Sequence, residues 1–184
     1  MSKRSFDPCR LDVAPFAEAA GEMPGQWPLS ALSRLAEMAQ RQDGVAADEQ
    51  VDWEIRGERR KSTNAAVQTW LHVSARVRLQ LVCQRCLQPV AADLDAQRSF
   101  LFVEGEAAAA ELDAQCEDDV LALSRDLDLR ELVEDELLLS LPLIPKHEQC
   151  PQPLPQAPGV AGHEPERPNP FAVLAALKRG AAKA

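Results

Sequence analysis

The stretch AVQTWLHVSARVRLQL, residues 66–81, decides the fold. Val67, Leu71, Val73, Ala75, Val77, Leu79 and Leu81 fall on one side of a period-two pattern. Gln68, Trp70, His72, Ser74, Arg76, Arg78 and Gln80 fall on the other. Successive side chains of a strand point to opposite faces, so the pattern predicts a long, half-buried strand. Downstream, VAADLDAQRSFLFVE, residues 90–104, alternates again at Val90, Ala92, Leu94 and Ala96, then at Phe100 and Phe102. The two runs predict an antiparallel hairpin with CQRCLQP, residues 83–89, as its tip. VDWEIRGE, residues 51–58, adds a third strand, with Val51, Trp53 and Ile55 set against Asp52, Glu54 and Arg56.

Two segments carry the helical period instead. In PLSALSRLAEMAQR, residues 28–41, Ser30 suits an N-cap and Leu32, Leu35, Ala36 and Ala39 share a face. In DLRELVEDELLLSLP, residues 128–142, Asp128 and Glu131 have capping-box spacing, Leu129, Leu132, Val133, Leu137 and Leu141 form the apolar stripe, and Pro142 ends it. Residues 105–119 read as too polar and broken for core, and VLAL, 120–123, as a short strand. The fold class expected is α+β: an antiparallel sheet from residues 51–123, open or barrel-like, covered by helices over 129–141 and 30–41. Residues 1–150 are expected to form one α+β domain and 151–169 a proline-rich linker. Residues 170–184 are expected to form a short amphipathic helix with a basic tail. In that helix Phe171, Leu174 and Leu177 line one face, which docks either on the chain's own sheet or on a partner.

The 184-residue chain has a net charge of −9, unevenly spread: residues 104–136 hold thirteen Asp/Glu against Arg125 and Arg130. No apolar run approaches the roughly 20 residues of a membrane span, and the N-terminus lacks the apolar core of a secretory signal. Five cysteines, an odd number, point to a reducing, cytoplasmic setting rather than a disulfide scaffold.

Cys83 and Cys86 stand at C-x-x-C spacing, and His147 with Cys150 offers a second short pair. Four such ligands suit one structural zinc; the alternative is a set of reduced thiols shaping a hairpin tip, with no cofactor. A redox pair fits poorly, since the segment leads into a strand and no helix N-terminus lowers the thiol pKa. Leu87 stands where zinc knuckles usually carry a small residue. Trp70, His72, Arg76 and Arg78 on the polar strand face, with Arg85 at the tip and Arg98 on the return strand, form a candidate RNA surface. Solvation of an exposed strand is the plainer account of the same residues. No Gly-rich phosphate cradle, G-x-S-x-G or H-E-x-x-H occurs. Glu134, Asp135 and Glu136 are consecutive on a helix and cannot converge on one ion. The chain is therefore read as non-enzymatic, with a zinc-dependent hydrolase acting on RNA as the competing class.

Three blocks in this order, CQRCLQPV, LVEDELLLSLPLIPKHEQC and NPFAVLAALKR, resemble the YceD family of large ribosomal RNA subunit accumulation proteins. The resemblance implies a bacterial cytosolic factor supporting synthesis, processing or stability of large-subunit (23S) rRNA in ribosome biogenesis. It carries over no catalytic residue. Two routes follow: direct contact with the rRNA, or an adaptor role through a ribosomal or rRNA-processing protein, with no membrane involved.

Overall fold

A computed structural model describes residues 6–39, 49–61 and 67–151. The expected helix 170–184, its face of Phe171, Leu174 and Leu177, and the linker beyond Pro151 lie outside the described residues. The elements are α1 (Val13–Glu18), β1 (Glu22–Pro28), α2 (Ser33–Met38), β2 (Gln50–Lys61) and β3 (Val67–Val82), followed by β4 (Pro89–Val103), α3 (Glu106–Asp113), β5 (Asp119–Ala122) and α4 (Leu129–Leu139).

The five strands form one sheet in sequence order, β1 to β5. The first four pair antiparallel, and β5 lies parallel to β4. Among the described residues the sheet is open, not a closed barrel. The long hairpin is the spine: β3 and β4 pair from Thr69↔Phe102 to Val82↔Pro89, as the two alternating runs require. A parallel neighbour needs a crossover, and α3 supplies it between β4 and β5.

One face of the sheet packs against α1, α2 and α4. Leu71, Val73, Ala75, Leu79, Phe100 and Phe102 meet Phe16, Leu35, Leu129, Val133 and Leu137 there. A fully buried Leu or Phe contributes about 1.5–3 kcal/mol by leaving water, so this layer supplies most of the stability. Leu11 and Leu127 exchange backbone hydrogen bonds of 2.8 and 3.0 Å and tie the N-terminal segment to the entry of α4. A β-carbon on Gly57 would lie 2.7 Å from the Ala17 Cα, so only glycine admits α1 this close to β2.

The structure adds three elements that the alternation did not predict. β1 contains Pro24, Gly25 and Pro28, residue types depleted from strands, and an edge strand is where proline is tolerated. α1 is too short to show a period, and α3 falls in the stretch read as broken. α3 covers a second, smaller cluster on the opposite face, made of Trp70, Leu101, Ala109 and Val120. The expected helix over 28–41 is also shorter: Leu29–Ala31 is a 3-10 turn and α2 starts at Ser33, with Leu32, not Ser30, at its N-cap. Residues 40 and 41 lie outside the described set.

Candidate metal centre

The β3–β4 connection is a tight tip. The Leu87 N–H donates to the Cys83 carbonyl and the Cys83 N–H to the Gln88 carbonyl, both at 2.9 Å. After α4, residues 140–147 run back to this tip as a strap. The Gln84 N–H donates to the Pro145 carbonyl at 2.8 Å, and His147 Nε2 lies 2.9 Å from the Pro89 carbonyl. These bonds bring together pairs more than sixty residues apart in sequence. The Sγ atoms of Cys83, Cys86 and Cys150 and a ring nitrogen of His147 lie within 4.8 Å of one another. This is the set expected from the two short motifs.

The residues fit a tetrahedral ion. Cys86 Sγ and His147 Nδ1 are 3.4 Å apart. Two ligands on zinc at about 2.3 Å (sulfur) and 2.0–2.1 Å (nitrogen) would be separated by about 3.5 Å. An Nε2–H donated to Pro89 fixes the tautomer that leaves Nδ1 as the ligand, as metal-bound histidines are held elsewhere. Cys83 is fully buried. Burial opposes its thiolate, but the backbone N–H groups of Cys86, His147 and Arg85, with the Cys86 side chain, outweigh it and draw the thiol down to about 5. A sulfur so surrounded is prepared to carry charge, as a metal ligand must. No disulfide joins the cysteines, and Cys9 and Cys116 stand outside the group.

Leu87 sits at φ +59°, the left-handed region that favours glycine. Its side chain is 69% exposed, so it returns little packing for the strain. Leu87→Gly is expected to raise stability by about 0.5–1 kcal/mol, the left-handed penalty less glycine's extra unfolded-state entropy. Urea unfolding checks this; an unchanged or lower midpoint would mean that the tip does not hold Leu87 in that conformation.

The expected RNA surface assembles differently. Trp70 is only 6% exposed and packs under α3, with Arg60 5.4 Å above its ring, so it offers no stacking face to solvent. Arg98 pairs in register with Val73 and lies on the helix-covered face, bound to Glu136 of α4 at 3.2 Å. His72, Arg76 and Arg78 share the other face, but each meets an acid or a hydroxyl. Arg76 binds Asp95 at 2.9 Å, Arg78 is 3.6 Å from Asp93, and His72 sits between Ser99 and Glu58. Arg85 is exposed at the tip. The face is a ladder of cross-strand ion pairs rather than a field of cations.

Glu134 and Glu136, both buried, are each answered by protein groups. Glu134 accepts the N–H groups of Arg34 and Leu35 at 2.7 and 3.1 Å, and the Arg34 guanidinium flanks it. Burial pushes the Glu136 carboxyl above its ordinary value, and Arg98 pulls partly against that. Two sequence signals pointed to such roles: acids on the half-apolar surface of a helix, and SFLFV at 99–103, whose unbroken apolar run requires cover on both faces of the strand.

A family model described as "Large ribosomal RNA subunit accumulation protein YceD" matches residues 71–178. The chain is also 38% identical over 105 residues to the large ribosomal RNA subunit accumulation protein YceD of Haemophilus influenzae. That match covers 55% of this chain and 60% of the relative. No solved structure matches.

Proposed function

This chain belongs to the YceD family, and from that premise we propose that it is a cytoplasmic, non-enzymatic factor supporting accumulation of large-subunit (23S) rRNA. The family match across residues 71–178, which contain the hairpin tip, α4 and the strap, carries the reading. Two features support its finer parts. Three thiols and an imidazole complete a tetrahedron by themselves, and a closed set without a water position is the arrangement of a structural zinc. A soft donor set of this kind selects zinc over magnesium or calcium. The zinc would staple strap to tip, which disfavours a hydrolase.

The second feature concerns the route to rRNA. Arginines already answered by carboxylates release few counterions from a phosphate backbone and so gain little affinity from it. A protein contact, with a ribosomal or rRNA-processing protein, is favoured over direct binding through β3. The experiment is removal of the protein from growing cells, with large- and small-subunit rRNA quantified. Large-subunit rRNA is expected to fall relative to small-subunit rRNA. A chain carrying Arg76→Glu and Arg78→Glu is expected to restore it. An unchanged ratio in the depleted cells overturns the function; failure of the double variant, if it is folded, assigns the contact to RNA on this face.

A further inference from the structure

We propose that the free edge of β4 over residues 90–97 accepts an added strand, an extended segment of a partner protein bearing lysine or arginine. β3 pairs with β4 along its whole length, but on the other side β5 reaches only Phe100–Val103. Eight residues of edge have no strand beside them, and among the described residues no backbone bond closes that side. A row of open N–H and C=O groups is a template for another strand.

A cavity of about 440 Å³ runs along this edge, between Val90–Leu94 and the strap at Pro142, Ile144 and Pro145. Consecutive strand residues point to opposite faces, so a cavity lined by five in a row looks onto the strand's edge, not onto either face. Its far wall sets Pro142, Ile144 and Pro145 beside Ser140 and Lys146; Ile144 is 65% exposed and the adjoining Leu143 fully so. A strand spaced about 4.8 Å from β4 would answer the open backbone groups and cover Ile144 with alternate side chains.

Charge selects the occupant. Two copies pairing edge to edge about Leu94 would set Asp93 of each opposite Asp95 of the other, and like charges directly opposed destabilise a sheet. A cationic segment meets the reverse. Asp93 and Asp95, 77% and 50% exposed, stand on the open face of this edge strand with Arg78 and Arg76 on one side. A cation at the facing position of an added strand would flank each carboxylate from the other. The inference names the chemistry of the protein contact proposed above. Its test is binding in solution, so its failure leaves the cellular rRNA experiment standing.

The probe is a fluorescent eight-residue peptide alternating lysine and valine, added to the full-length protein, with a glutamate–valine peptide as control. Anisotropy is expected to show the lysine peptide binding at least about tenfold more tightly, with an affinity that falls as salt rises. Hydrogen exchange of amides in 90–97 is expected to slow when it binds. Ile144→Asp, a change at an exposed residue that leaves the fold intact, is expected to weaken binding about tenfold. Equal binding of the two peptides, or unchanged exchange at 90–97, overturns the proposal. So does edge protection that grows with protein concentration alone, which would assign the edge to a second copy. Protection that disappears when residues 152–184 are removed would assign it to the chain's own tail and overturn the partner equally.

Discussion

Excess EDTA will lower the thermal midpoint by roughly 8–16 °C if the Cys83, Cys86, His147 and Cys150 set holds zinc. An ion at a thousand times its dissociation constant stabilises the folded state by about 4 kcal/mol. In a chain of this size each kcal/mol moves the midpoint by about 2–4 °C. Unfolding outright is not expected, because the sheet core has its own apolar layer and the strap is also tied by the Gln84–Pro145 and His147–Pro89 bonds. Cys83→Ser will remove both the metal and the EDTA effect, and Cys116→Ser will change neither. The pH dependence follows from the thiol. Cys83 ordinarily titrates near 9.0 and in the fold near 5, so the folded state holds its proton less tightly than the unfolded chain does. Stability from the thiolate is fully present above pH 9, declines as pH falls, and is gone below about 5. Metal is lost on the acid side as protons compete for the sulfurs. Mass spectrometry under native conditions reads the stoichiometry. No bound metal and an EDTA-insensitive melt would return the cysteines to the reduced-thiol reading.

Glu134→Ala will destabilise the fold by about 2–4 kcal/mol, the cost of stranding buried donors at a helix start. α2 has Leu32 at its N-cap and therefore no capping side chain of its own. The donors that a cap would satisfy, the second and third helical N–H groups, belong to Arg34 and Leu35, and Glu134 of α4 accepts both across a hundred residues of sequence. Glu134→Gln keeps one acceptor and will lose less. Asp135→Ala, at a side chain 52% exposed in its pairing with Arg34, will change stability by less than about 0.5 kcal/mol. Urea midpoints of the three variants rank them. Equal losses for Glu134→Ala and Asp135→Ala would mean that the cap contributes nothing beyond surface charge.

The four candidate ligand positions were legible because metal chemistry is written locally: C-x-x-C and H-x-x-C are short chelating pairs wherever the chain takes them. That the two pairs meet depends on the length of the hairpin and the return of the strap from α4, which no spacing states. The surroundings of the candidate RNA surface were less legible for a related reason. Alternation assigns a residue to a face but not what covers that face, so Trp70 read as exposed until α3 was found lying on it. Arg98 was grouped with Arg76 and Arg78 by composition, although the β3–β4 register sets it on the opposite side. The carboxylate partners of Arg76 and Arg78 lie on the neighbouring strand and that of Arg98 on α4, and only folding brings them within 4 Å.

The sequence by itself determined the long hairpin, the middle strand β2, the capped helix α4 and the two short Cys/His pairs that could hold a metal. Each of these is a periodicity or spacing set by residues close in the chain, where backbone geometry and side-chain direction repeat every two or 3.6 residues. Tertiary structure decided the edge strand β1 with its prolines, the parallel position of β5, and the cover of α3 over Trp70. It also decided that Glu134 caps a helix. These features depend on which surfaces remain after the spine has formed: an edge tolerates proline, a bare apolar patch recruits a helix, and an uncapped N-terminus draws the nearest buried carboxylate.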